Sequence, residues 1–286
     1  MMLLKIVFSF LSVTLLGGLL GVGLAVAAKL LAVKKDERIG EVESILPGAN
    51  CGACGYPGCS GYAEAVVNEG ASLTLCSPGG AEVAEKIAKI MGQSVEVSAT
   101  KMVAQVHCRG TRDTSKYAFD YNGLADCNAM MILYGGDKEC KYGCLQGGSC
   151  IAVCPVDAIG RDEKNRIWVD KDRCISCGKC IDVCPTNVMK WVPYDADYIV
   201  ACNSKDKGAK TRKYCTVGCI ACKICEKKSG DGGFIVEDFL AHIEYDMKGD
   251  RTAAVESCPA KCIISTKTAK AEIDEVKETV KVNDES

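Results

Sequence analysis

The chain has 286 residues, a formal charge of −2 and only 6% aromatic residues. No basic domain and no run of aromatics among basic side chains is present, so nucleic-acid binding is excluded. It also carries 21 cysteines, an odd number, and nearly all fall in groups spaced by two or three residues. Cys154 and Cys184 are each followed directly by proline, a pattern that favours metal over a secreted disulfide framework.

The expected fold class is α+β: one N-terminal transmembrane helix, a small 4Fe-4S domain, then tandem ferredoxin-like modules. From Ile6 to Ala28 the chain is uncharged, and that stretch reaches about 34 Å as a helix, enough to cross a hydrocarbon core of about 30 Å. A signal peptide with its shorter apolar region is the rival reading. Lys29, Lys34, Lys35 and Arg38 follow the stretch. The positive-inside rule then puts everything after it on the cytoplasmic side of the cell membrane, as a single-pass protein. Gly17 and Gly21 offer a GxxxG step for a neighbouring helix. The expected segments are the anchor at 1–33, the N-terminal 4Fe-4S domain at 34–100, a two-cluster module at 101–195, a degenerate one-cluster module at 196–266 and a charged tail at 267–286, solvated or disordered.

The first cysteine group, in "CGACGYPGC", is Cys51, Cys54 and Cys59, joined by Cys76. Four sulfurs without histidine suit zinc or an iron-sulfur cluster. Gly52, Gly55 and Gly58 tilt the choice toward a cluster, because a bare backbone can wrap closely and turn its N–H groups toward sulfur. The runs "YAEAVVNEG" and "AEVAEKIAKIMG" read as the helices of this domain.

Next comes "CISCGKCIDVCP", with Cys174, Cys177, Cys180 and Cys184 in the CxxCxxCxxxCP spacing, where the fourth cysteine crosses to a partner cluster. The partner is "CKYGCLQGGSCIAVCP", whose expected middle ligand is Gly147. Cys140 is the substitute this spacing suggests. One cluster then takes Cys140, Cys144, Cys150 and Cys184, and the other takes Cys174, Cys177, Cys180 and Cys154.

A third copy is half erased. "CIACKIC" gives Cys219, Cys222 and Cys225, while the positions expected to hold ligands of a second cluster carry Ser229, Lys248, Arg251 and Ala254. One cluster remains, with Cys258 as its crossing ligand, so four 4Fe-4S clusters are expected in all. The interval from Cys127 to Cys140 recurs between Cys202 and Cys215, which marks the modules as repeats. Cys262 reads as a small buried hydrophobe. Cys108, Cys127, Cys202 and Cys215 stay open as buried thiols or a redox pair, or Cys108 and Cys127 join Cys140 at a further cluster. His107 and His242, in strand-like runs, read as packed or surface side chains. No Walker loop, nucleotide-binding glycine pattern or nucleophile elbow appears, so no site for NAD, flavin or a carbon substrate is expected.

The apolar start, "CGACGYPGCSGYAEAV", "CKYGCLQGGSCIAVCPVDAI" and "CISCGKCIDVCP" together resemble the B-subunit family of the Rnf complex, the ion-translocating ferredoxin:NAD oxidoreductase. The resemblance implies a translocase's electron-transfer subunit that takes electrons from soluble ferredoxin and passes them to other membrane and peripheral Rnf subunits. Bacterial ferredoxins are generally acidic, and the densest basic stretch, with Lys205, Lys207, Lys210, Arg212 and Lys213 in what reads as a loop, is the expected docking face. Two other readings stay open: a relay subunit of a hydrogenase or formate dehydrogenase, and a zinc-bound scaffold.

Overall fold

The computed structural model describes residues 2–30, 36–95 and 100–266; within the first helix the side chains at 2–7, 9, 12, 28 and 30 lie outside the description. Lys34, Lys35 and the charged tail at 267–286 also lie outside it.

Helix α1 (Met2–Leu30) runs for 29 residues. Its described large side chains, from Phe8 and Phe10 to Leu24 and Val26, are exposed, and Gly17 and Gly21 face open space. Thr14 returns its hydroxyl to the carbonyls of Phe10 and Leu11. Among the described residues no helix is long and apolar enough to cross a membrane, so the expected anchor is not established here.

Three helices follow. α2 (Glu37–Ile45) starts at Asp36, whose carboxylate accepts the Arg38 N–H as an N-cap. α3 (Cys59–Asn68) and, after a short 3-10 turn, α4 (Gly80–Met91) fold against it. Val42, Tyr62, Val66 and Ile87 close the core between them, each at most 1% exposed. Burying such side chains stabilises the domain by about 1.5–3 kcal/mol apiece.

The rest of the chain is two versions of one topology. In the first, β1 (Met102–Val106) leads through α5 (Cys127–Ile132) and α6 (Ser149–Ala152) to the hairpin β2 (Ile159–Arg161) and β3 (Ile167–Val169), then α7 (Lys179–Asp182) and β4 (Met189–Pro193). β4 returns antiparallel to β1, with Met102 opposite Pro193 and Val106 opposite Met189. In the second, β5 (Tyr198–Val200) leads through α8 (Gly208–Tyr214) and α9 (Ile224–Lys228) to the hairpin β6 (Phe234–Glu237) and β7 (Leu240–Ile243), then α10 (Thr252–Glu256) and β8 (Ile263–Ser265). β8 pairs antiparallel with β5, Tyr198 opposite Ser265 and Val200 opposite Ile263. The lysine-rich stretch read as a loop is thus partly helical: Lys210, Arg212 and Lys213 ride on α8.

The second version keeps its shape where its ligands are gone. Arg251, 7% exposed, occupies that region. Its guanidinium donates to the carbonyls of Gly232 (2.6 Å), Glu244 (3.1 Å) and Met247 (2.5 Å) and pairs with Asp197 at 2.9 Å. Ser229, where a CP cysteine would stand, is buried and donates its N–H to the Cys225 carbonyl. A hydrogen-bonded plug therefore replaces a cluster site. Arg251→Met takes the charged donor from three carbonyls, of which Glu244 keeps only the Met247 N–H at 3.4 Å, and hydrogen bonds from a charged donor contribute about 1.5–3 kcal/mol each. The expected loss, allowing for water reaching the site, is about 2–4 kcal/mol in urea unfolding. Arg251→Lys does not rescue it, since an ammonium cannot span all four acceptors.

Candidate functional site

All 21 cysteines are unpaired by disulfides. Among the described residues no three His, Cys, Asp or Glu side chains close on one point as a single metal ion requires. What the thiols surround instead are cavities and the rims of loops.

The N-terminal group, Cys51, Cys54, Cys59 and Cys76, lies on the loop before α3, at the start of α3 and just before the 3-10 turn. Gly52, Gly55 and Gly58 all adopt positive φ (71°, 86° and 96°), so the loop uses conformations that a side chain would strain. Asn50 accepts the Cys59 N–H at 2.8 Å, fixing the loop to the start of α3. Burial, and then the neighbouring Cys59, Cys51 and Cys54, push the Cys76 thiol up. The other three thiols thus lie close enough to act on Cys76.

The tandem motif supplies two further groups. Burial first, then Cys51, Cys154 and Cys174 among its neighbours, push the Cys177 thiol up. Burial likewise pushes Cys180 up to about 12, helped by Cys174, Cys177, Cys150 and Cys154. The Ala158 N–H points at Cys154 Sγ from 3.3 Å. Cys51 of the first group and Cys150 of the next group thus both bear on this one.

For the partner group the structure brings together a different set of cysteines from the one expected. Cys127, Cys144, Cys150 and Cys184 line one cavity, and Cys140 does not. The reason lies at Gly147. A Cβ there would meet the Cys127 backbone nitrogen at 2.9 Å, the Asp126 carbonyl carbon at 3.0 Å and Met130 Sδ at 3.0 Å. The start of α5 occupies the place of the missing side chain, and Cys127 arrives with it. Asp126 caps α5 through the Ala129 N–H, while Ser149 bridges Cys127 N (2.7 Å) and Asp126 (2.8 Å). Burial, then Cys127 and Cys184, push Cys150 up to about 12. No sequence spacing announces this, because Cys127 lies in a segment between β1 and α6.

Cys219, Cys222, Cys225 and Cys258 line a third cavity together with Cys262. Cys262 is buried as expected, at 2%, but its sulfur also lies 3.6 Å from Cys258 Sγ. The Cys262 S–H, shared with Cys258 and Cys219, holds those two thiols down and keeps its own proton. Cys222 is the cysteine that is exposed. Around it Lys223, Lys227 and Lys228 are exposed, as are Lys205, Lys207, Lys210, Arg212 and Lys213. The start of α8 touches the cysteine loop directly, for a Cβ on Gly208 would collide with the Ile220 carbonyl. Lys210 pairs with Asp206 at 2.8 Å and Lys205 with Asp238 at 4.0 Å.

The remaining thiols also meet. Cys140 lines a separate cavity with Cys108, Cys202 and Cys215. The histidines behave as expected of packed or surface residues. His242 is exposed on β7; burial first, then Lys190, holds His107 down to about 4, so its ring is uncharged at neutral pH.

Comparison with known proteins gives the context. Residues 46–78 match an Fe-S cluster family, and residues 140–191 match a 4Fe-4S dicluster domain. The chain is 41% identical over 247 residues to the B subunit of the Na(+)-translocating ferredoxin:NAD(+) oxidoreductase complex of Acetobacterium woodii, covering 86% of this chain and 74% of that one. It is 39% identical to the B subunit of the ion-translocating oxidoreductase complex of Methanosarcina acetivorans, covering 88% of this chain and 96% of the relative. The chain belongs to the Rnf B-subunit family.

Within this Rnf B subunit, the cysteine geometry makes two predictions. Cys127→Ala removes or converts one cluster, measured as iron per chain, and Gly147→Cys does not restore it because the α5 backbone fills the space. Cys262→Val leaves the iron content unchanged. It lowers one midpoint potential in a redox titration, since an S–H donor to ligand sulfur favours the more negative, reduced state.

Proposed function

We propose that this chain is the electron-receiving iron-sulfur subunit of an ion-translocating ferredoxin:NAD oxidoreductase, taking electrons from soluble reduced ferredoxin and relaying them to other subunits of the complex. The observation that carries the reading is the succession of cysteine groups in a member of the Rnf B-subunit family, with Cys51 of the first group and Cys150 of the third both acting on the second. Four 4Fe-4S clusters are held by Cys51, Cys54, Cys59 and Cys76; by Cys154, Cys174, Cys177 and Cys180; by Cys127, Cys144, Cys150 and Cys184; and by Cys219, Cys222, Cys225 and Cys258. When bound, such clusters supply one-electron chemistry over a wide range of potential. The protein's part is to fix the thiolates, to aim backbone N–H groups at sulfur, and to keep water from all but the outermost group.

Helix α1 is the membrane anchor in this reading. Its large described side chains from Phe8 to Val26 are exposed and apolar, and the basic residues after it favour a cytoplasmic position for the cysteine domains. The lysine-rich face of α8 and the Cys222 loop receives ferredoxin, because an acidic partner is steered to exposed positive charge. The exposure of Cys222 beneath that face supports electron arrival there.

The first test is colour. Anaerobically purified protein is expected to be brown and to bleach with dithionite; a colourless zinc protein sinks the proposal. The second is docking. Reversing Lys207, Lys210 and Lys213 to Glu is expected to slow reduction by ferredoxin about tenfold or more at low salt, with the difference shrinking as salt screens the charges. Reduction by dithionite and iron content stay unchanged. An unaltered ferredoxin rate places the docking face elsewhere.

A further inference from the structure

We propose that Cys108, Cys140, Cys202 and Cys215 hold a fifth 4Fe-4S cluster, which links the tandem ferredoxin-like pair to the C-terminal group; this rests on the relay reading above. The four residues come from separate segments: after β1, before α6, after β5 and after α8. None follows the CxxC spacing, yet all four line one cavity. Its space unfilled by protein atoms is about 370 Å³, against about 360 Å³ for the Cys127 group and about 340 Å³ for the Cys219 group. Two pairings bring the segments together: Ser115 bridges to Cys215, and the Lys116 N–H donates to the Tyr214 carbonyl at 2.7 Å.

The wall carries the donors that ligand sulfur needs. The Cys219 N–H points at Cys202 Sγ from 3.2 Å, and the Ser115 hydroxyl at Cys215 Sγ from 3.6 Å. Close packing of the wall shows at two glycines: a Cβ on Gly110 would collide with the Ser115 hydroxyl, and one on Gly218 would meet Thr211 Cγ2 at 2.6 Å.

Lys138 is the independent observation. It lines the same cavity and is 1% exposed, and its ammonium donates to the Gly110 carbonyl at 2.9 Å and stands 5.5 Å from the Tyr117 ring. Among the described residues no carboxylate forms an ion pair with it, although Asp137 is its neighbour in sequence, buried with Oδ1 unpartnered. A buried ammonium costs several kcal/mol unless an anion compensates it. Four thiolates around a cluster supply that anion.

Position gives the site its purpose. Cys108 is among the neighbours, after burial, that push the Cys144 thiol of the tandem pair up. On the other side Cys202 accepts from the backbone of Cys219. The cavity lies between the two groups, and tunnelling falls off steeply with distance. An occupied site here takes one electron from one neighbour and gives one to the other, with no bond made or broken.

The test is iron and acid-labile sulfide on the anaerobic full-length chain, with native mass spectrometry to count clusters on the folded protein. Five clusters of four irons give about 20 irons per chain, and Cys108→Ala and Cys215→Ala each bring this to about 16 while the other clusters persist. A wild-type chain with four clusters, or 20 irons that neither variant lowers, overturns the fifth site and leaves the four-cluster relay standing. A wild-type chain without iron overturns the relay reading itself. Because the wild-type count is decisive alone, a variant that fails to fold does not obscure the result.

Discussion

Burial of thiols around cavities, in place of apolar side chains against one another, is the constraint on which most of this molecule depends. After α4 every sheet has two strands of three to five residues, and sheets of that size are marginal in water. The helices that follow the cysteine motifs, α6 and α7, have four residues each. The core of the tandem module counts Cys144, Cys150, Cys174 and Cys180 among its buried members. Burial pushes several of these thiols far up, so without metal they stay neutral; binding releases their protons and couples assembly to folding. The clusters complete the core rather than decorate it.

The two ferredoxin-like modules show how that constraint tolerates loss. At each first cysteine the chain turns through a positive φ two residues on, at Gln146 (62°), Ser176 (59°) and Ala221 (53°). The loop shape survives although the residue after it is Gly147 in one copy and a cysteine in the others. In the first copy a cysteine from α5 replaces the ligand. In the degenerate half no ligand returns, and Arg251 ties the same loops together through carbonyls. Both solutions satisfy the same need, which is to leave no buried backbone group unpaired.

Much of this is legible in the sequence wherever ligands are local. CxxCxxCxxxCP fixes a loop, a helical turn and a crossing residue within a dozen positions; Cys219, Cys222 and Cys225 line one cavity, and Cys154, Cys174 and Cys177 lie near enough to Cys180 to act on it. The helices α3 and α4 and the strands near His107 and His242 follow from periodicity. Spacing along the chain points to Cys140, whereas the structure brings Cys127 to that cavity because the start of α5 crowds the backbone at Gly147. Such crowding is tertiary and leaves no local pattern. The grouping of Cys108, Cys202 and Cys215 is hidden for the same reason.

The arrangement also orders the groups. Cys51 acts on Cys177, Cys150 on Cys180, Cys108 on Cys144, and Cys219 meets Cys202. This is a linear series, with the N-terminal domain after α1 at one end and the exposed Cys222 at the other. Positive charge gathers near the Cys222 end, on α8 and its neighbouring loop, and a charged partner approaching from solvent is drawn there first. The opposite end follows α1 in the chain. A series of buried groups that opens to solvent at one end beneath a basic face offers a small anionic partner one point of approach, and the other groups are reached only through it or from the N-terminal end.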